Sequence, residues 1–222
     1  MQLDFQAREL TVKLVYYGPA LCGKTTNLQA IHEIAQEGAT GRLMTLETKE
    51  DRTLFFDLLP LTFDMSQGLR VRFKLFTVPG QVIHNATRRL VLQGADGVAF
   101  IADSQHAETR ANQMAFLNMI ENLRENGIDP YRIPLVIQMN KRDMPDVRSD
   151  EEIDALAKKG REPVYKAVAI RGIGVLETLS GLMRLTWAAL EREHHLGEKF
   201  GLQQDDVLSE INRKLSTPKK GA

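Results

Sequence analysis

Eight consecutive residues, Gly18-Pro19-Ala20-Leu21-Cys22-Gly23-Lys24-Thr25, have the spacing G-x-x-x-x-G-K-[ST] and follow the apolar run from Leu10 to Tyr17. A strand that ends in such a loop and feeds a helix is the context in which this spacing means phosphate binding. Successive backbone N–H groups of the loop and of the helix start converge on one point, where the helix dipole also favours negative charge. Lys24 supplies a point charge for the outer phosphates. The Thr25 hydroxyl is a hard oxygen ligand suited to Mg²⁺, and Thr26 follows it in the first helical turn. Pro19 has no N–H, but it precedes the donors that must face phosphate. The competing reading, a glycine turn between strand and helix, does not account for the flanking pattern.

Two further short motifs close apolar runs. Thr77-Val78-Pro79-Gly80-Gln81 comes after Leu69–Leu75, and Asn140-Lys141-Arg142-Asp143 comes after Pro134–Met139. Around them the chain alternates strand and helix signals. Leu10 to Tyr17 reads as a strand drifting toward burial on both faces, and Thr25–Gln36 as a helix stopping at Gly38. Arg42–Leu46 reads as a short strand, and Leu3 and Phe5 suggest another ahead of the main one. Val82–Gln93 gives an irregular helix, Gly97–Ala102 a buried strand, Glu108–Glu125 a helix, and Tyr165–Ile170 a last strand. Ser149 and Glu152 have capping-box spacing, and Val175–Leu190 carries a broad apolar stripe that reads as core. This order implies a parallel sheet with helices on both faces and right-handed crossovers, whose ligands bind at the carboxyl ends of strands.

One row has two readings. In Leu69–Leu75 the cations Arg70, Arg72 and Lys74 alternate with apolar residues, either as a solvated face near the sheet edge or as a partner surface. His194 and His195 have no carboxylate or cysteine at ligand spacing and read as solvated.

Composition narrows the class. At 222 residues the chain suits one domain with a substantial core, and its 29 basic and 29 acidic residues leave no global field to attract nucleic acid or membrane. The single cysteine, Cys22, excludes an intrachain disulfide and suits a reducing cytoplasm. Met1–Arg8 has no apolar signal segment, and no apolar run reaches membrane-spanning length. The C-terminus carries no prenylation cysteine, and Gln2 rules out myristoylation. Val207, Leu208, Ile211 and Leu215 fall on one face of a short helix over 203–215, expected to dock on its own domain or on a partner.

The order of G-x-x-x-x-G-K-T, x-x-x-G-Q and N-K-x-D resembles the small Ras-like GTPases, and GPALCGKTTNL, DRTLFFDLLPL, TVPGQ, ADSQ and IQMNKRD are similar to the MglA family of gliding-motility and cell-polarity GTPases. The resemblance implies a P-loop NTPase of α/β class, a Ras-like domain over residues 1–192 with a C-terminal extension over 193–222, and binding of GTP or GDP with Mg²⁺. It assigns Gly18, Ala20, Leu21, Cys22, Gly23, Lys24, Thr25 and Thr26 to the phosphates. Asn140, Lys141 and Asp143 are assigned to guanine, and the Ala169 backbone N–H to its carbonyl. Thr25 and Thr53 would ligate the metal, Gln81 would orient the attacking water, and Arg52 would act as an arginine finger supplied by the same chain. The implied partner is a Roadblock/LC7-type MglB-like activator, with recruitment to a cell pole and downstream motility or polarity proteins. A GTP-loaded scaffold with little hydrolysis is the alternative.

Two positions depart from the Ras pattern. Thr77 stands where Ras-like proteins have Asp, with Asp57 a candidate replacement or a structural residue. Ala20 stands where both Ras and MglA sequences usually carry Gly, so its methyl would crowd Gln81 and slow hydrolysis.

In the N-K-R-D motif the Asp143 carboxylate can accept both the guanine N1–H and the exocyclic amine. Asp143→Asn is therefore expected to shift preference toward xanthosine nucleotides, and an unchanged GTP preference in a competition assay would count against that role.

Overall fold

The computed structural model describes residues 1–35, 41–46, 56–65, 68–201 and 204–216. The elements, in chain order, are β1 (Gln2–Asp4), β2 (Glu9–Tyr17), α1 (Lys24–Ile34), β3 (Met44–Leu46), β4 (Phe56–Asp64), β5 (Arg70–Thr77), α2 (Asn85–Leu92) and β6 (Gly97–Asp103). They continue as α3 (Thr109–Glu125), β7 (Leu135–Asn140), α4 (Asp150–Lys159), β8 (Val164–Lys166), α5 (Val175–His194), α6 (Leu196–Phe200) and α7 (Gln204–Ser216). The strands form one sheet in the order β3-β4-β5-β2-β6-β7-β8. β5, β2, β6, β7 and β8 run parallel, whereas β3 and β4 are antiparallel additions. β1 pairs antiparallel with Glu9–Thr11, on the edge of β2 that β6 occupies from Leu14 onward.

Alternation along β2 sends its side chains into two cores. Leu10, Val12, Leu14 and Tyr16 join Leu28 and Ile31 of α1 and Leu182 and Trp187 of α5. Val15 and Tyr17 join Val91 and Leu92 of α2 and Met119 and Leu123 of α3 on the other face. The sheet is thus covered on both sides, as a central parallel strand requires. Ser149 and Glu152 form the capping box, with the Glu152 amide donating to Ser149 Oγ at 3.2 Å and the Ser149 amide to Glu152 Oε2 at 2.7 Å.

Two expectations are corrected. The last strand is short: after Lys166 the chain turns, Val168 bridges to Ile173, and Ala169–Arg171 forms a 3-10 turn closed by Gly172 at φ 70°. β5 is an interior strand, so the row of cations does not lie at a sheet edge. Arg70 pairs with Asp64 of β4 at 3.0 Å, and Arg72 with Glu9 of β2 at 2.9 Å. On the far side of β5, β4 runs straight through Pro60. The Pro60 carbonyl accepts from the Gly41 amide at 2.8 Å, on the side where β3 has already ended, so the N–H that proline lacks falls outside the ladder.

Beyond α5 the chain folds back. Val207, Ile211 and Leu215 of α7 are buried in the core that holds Trp187 and Leu190. A helix of this length is marginal alone and depends on that apolar face. Ile211→Ala is expected to weaken its docking by about 2–5 kcal/mol. Amides of 204–216 should then exchange faster while those of β2 do not, and equal exchange in α7 would contradict the packing account.

Candidate nucleotide-binding site

The motifs meet at the carboxyl ends of the parallel strands. Gly18 to Gly23 joins β2 to α1 through left-handed positions at Gly18, Leu21 and Gly23, with φ of 148°, 61° and 99°. Two of these admit glycine alone. A Cβ on Gly18 would lie 2.1 Å from the Ile101 carbonyl oxygen, and one on Gly23 would lie 2.3 Å from Asn140 Nδ2. α1 then begins with neither a side-chain cap nor an acidic residue in its first turn. The positive end of its dipole is left to act on whatever anion the loop encloses.

Lys24 is 7% exposed, and its ammonium donates to the carbonyls of Gly18 at 3.1 Å and Pro19 at 2.5 Å. A cation is thereby held inside the curl of the loop. Cys22 lies beneath it, buried, with Sγ 3.6 Å from Lys24 Nζ. Burial pushes the thiol pKa up from its ordinary value, which makes Cys22 a packed residue of low reactivity.

A cleft of about 870 Å³ opens beside the loop, walled by Ala20, Leu21, Gly23 to Thr26, Asp57 and Thr77 to Gln81. A separate cavity of about 490 Å³ between α3 and α4 is mainly apolar and contains none of the loop's donors. Asp57 of β4 is 6% exposed and lies at the floor of the first cleft. Thr25 Oγ1 donates to its Oδ2 at 2.6 Å, Thr77 Oγ1 to the same oxygen at 2.9 Å, and Thr45 Oγ1 to Oδ1 at 2.9 Å. The Asp57 amide donates to Thr77 Oγ1 at 2.8 Å. All the side-chain partners of Asp57 among the described residues are therefore hydroxyls. A buried carboxylate without a cation is costly. Set against the Thr25 hydroxyl, this hard-oxygen donor set fits Mg²⁺, and among the described residues Thr25 would ligate it, with Asp57 in its outer shell.

The N-K-R-D motif is tied to the loop through Asn140. Its Nδ2 donates to the Cys22 carbonyl at 2.8 Å, and its Oδ1 accepts from the Ala169 amide at 2.9 Å. In this structure the Ala169 N–H braces Asn140. Lys141, at φ 62°, pairs with the buried Asp103 at 2.7 Å. Asp143 is partly exposed, with Arg171 4.0 Å away.

Gln81 is exposed at the rim of the cleft, and Gly80 packs on the loop: a Cβ there would come 2.4 Å from Ala20 Cα. Thr26 lines the same cleft, half-buried. Arg52 and Thr53 lie outside the described residues. Sequence reasoning left the role of Asp57 open and missed Thr45, because nothing local marks a hydroxyl that will meet a carboxylate opposite it on the next strand.

No family model matches the chain. It is 46% identical over 190 residues to the mutual gliding-motility protein MglA of Myxococcus xanthus (strain DK1622), a match covering 86% of this chain and 97% of that protein. With the phosphate loop, the T-x-x-G-Q segment and N-K-R-D assembled on one edge of a mostly parallel sheet, the chain belongs to the MglA family and has the Ras-like P-loop GTPase fold.

Proposed function

We propose that this chain is a GTP-binding molecular switch, which hydrolyses GTP to GDP and phosphate and binds partners in a nucleotide-dependent way. The observation that carries the reading is the buried Asp57 carboxyl at the foot of an uncapped, acid-free helix start. One edge of the cleft is built for anions and its floor for a cation, the combination a nucleotide with Mg²⁺ presents. The loop amides and Lys24 bind the phosphates. Asp57 takes over the outer-shell task of the Asp that Thr77 replaces. When bound, Mg²⁺ neutralises the charge that develops on the phosphate oxygens. Asp143 selects guanine, and Asn140 with Lys141 holds the base end rigid against the loop.

For hydrolysis, Gln81 orients the attacking water, and Arg52 meets the charge that grows in the transition state. Thr53 completes the hold on the metal in the GTP state. Residues 1–192 form the GTPase unit, and 193–222 are an extension to it. By its similarity to the gliding-motility protein, the chain acts in motility or polarity, with a Roadblock/LC7-type MglB-like activator and recruitment to a cell pole. Among the described residues no helix is long and apolar enough to cross a membrane. Ala20 gives the scaffold alternative its specific support, since it packs against Gly80 beside Gln81. On that reading the Ala20 methyl crowds the transferred phosphoryl group, and Ala20→Gly raises the rate.

Two measurements test this. Asp57→Asn places an amide donor among three hydroxyls, and the Mg²⁺ concentration that half-slows GDP release is expected to rise about 10- to 100-fold. An unchanged Mg²⁺ dependence would return Asp57 to a purely structural role. In single-turnover GTP hydrolysis with the candidate activator, Arg52→Ala is expected to remove about 10³–10⁵ of the stimulated rate, roughly 4–7 kcal/mol, and to leave GTP affinity within a few-fold. Stimulation that survives near the parental level would assign the finger to the partner, and no hydrolysis with or without a partner would favour the scaffold.

A further inference from the structure

We propose that Arg88 is a positioning residue that clamps the backbone of Gln81 to helix α3 and to the strand carrying the phosphate loop. Arg88 lies on α2 and is 6% exposed. Its Nη1 donates to the Gln81 carbonyl, which also accepts from the His84 amide at 3.2 Å. Nε donates to Asn118 Oδ1 at 2.9 Å, and Nη2 to Asn85 Oδ1 at 3.2 Å. One planar guanidinium thus spans the Gln81 backbone, α2 and α3 in a fixed fork that a flexible ammonium cannot reproduce.

The fork is anchored in turn. Asn118 Nδ2 donates to Asn85 Oδ1 at 2.9 Å, and Asn122, fully buried, donates to the same oxygen at 3.0 Å. The Tyr17 hydroxyl donates to Asn118 Oδ1 at 2.7 Å and accepts from Asn122 Nδ2 at 3.1 Å. Burial pushes the Tyr17 phenol pKa up, which keeps it a donor. Tyr17 is the last residue of β2, directly before Gly18. The network therefore measures the position of Gln81 against the strand that delivers the phosphate loop.

The physical consequence concerns orientation. The Gln81 side chain is exposed, so nothing buried around it fixes its direction; its backbone does, and the backbone carbonyl is held by two donors. Losing the stronger donor lets the 81–82 peptide rotate, and a displacement of about 1 Å in a positioning group can cost about 100-fold in rate. The clamp touches neither the phosphate loop's donors nor N-K-R-D. Ground-state nucleotide binding should not depend on it.

The proposal rests on reading Gln81 as the water-orienting residue, and the test separates the two. Single-turnover GTP hydrolysis, mant-GDP affinity and amide exchange over 79–87 would be measured for the parent, Arg88→Met, Arg88→Lys, Gln81→Ala and the double variant Gln81→Ala/Arg88→Met. The expected result is a rate about 10- to 100-fold lower for Arg88→Met, nucleotide affinity within about 3-fold, faster exchange at His84, and no further loss when Arg88→Met is added to Gln81→Ala. Arg88→Lys keeps charge and stem without the fork and is expected to remain impaired, which decides the matter if Arg88→Met fails to fold. Parental rate and exchange in Arg88→Lys would overturn the clamp, as would independent, multiplicative losses in the double variant. If Gln81→Ala itself hydrolyses at the parental rate, the catalytic reading of Gln81 falls, and His84 exchange alone then decides for or against the clamp.

Discussion

The side-chain amide of Asn140 is the joint on which the site depends. It donates to Cys22 in the phosphate loop and accepts from Ala169 in the turn after β8, joining two loops that emerge from non-adjacent strands of the sheet. Both bonds are buried, where an unmade bond costs about 1–3 kcal/mol. The joint also explains a sequence constraint at a distance, since it is Asn140 Nδ2 that leaves no room for a side chain at Gly23. Phosphate end and base end are consequently one rigid body. A nucleotide binding there does not have to order them against each other, which lowers the entropic cost of binding.

Behind this joint a second buried network fixes the helices. Asn27 and Gln138 exchange a pair of hydrogen bonds at 2.8 and 2.9 Å, and Gln138 also donates to Thr178 Oγ1 at 2.8 Å. These bonds pin α1 to β7 and α5. On the opposite side Leu59 and Leu61 of β4 share the apolar core with Leu28 and Ile31 of α1, and Thr25, Thr45 and Asp57 add polar contacts between α1 and the antiparallel extension β3-β4. Hydroxyl–carboxyl bonds of this sort can be exchanged for a metal and phosphate oxygens at little net cost. The half of the site expected to respond to the γ-phosphate therefore includes exchangeable polar contacts, as a switch needs.

Much of this was legible in the chain. Local periodicity gives the buried strands, the extent of α1 and the broad stripe of α5, and Ser149 with Glu152 announces the start of α4. The three motifs are legible because each needs particular residue types at fixed spacing. What escaped has a common physical cause: it depends on partners far apart in sequence. The exposure of Arg70 and Arg72 could not be judged without knowing that β5 lies between β4 and β2. The bond from the Ala169 amide to Asn140 joins residues 29 apart in the chain. Nothing around Arg88 in the sequence signals that its guanidinium reaches back to the Gln81 carbonyl.

The central claim is that one rigid site binds a guanine nucleotide through phosphate and base together. Calorimetric titration of the purified chain with GDP, GTP, ADP and ATP in the presence of Mg²⁺ tests it most directly. The account predicts one site per chain for GDP and GTP, competing with each other, and adenine nucleotides weaker by about 10⁴-fold because the Asp143 carboxyl is left without its donors. ATP binding with an affinity equal to that of GTP would contradict it.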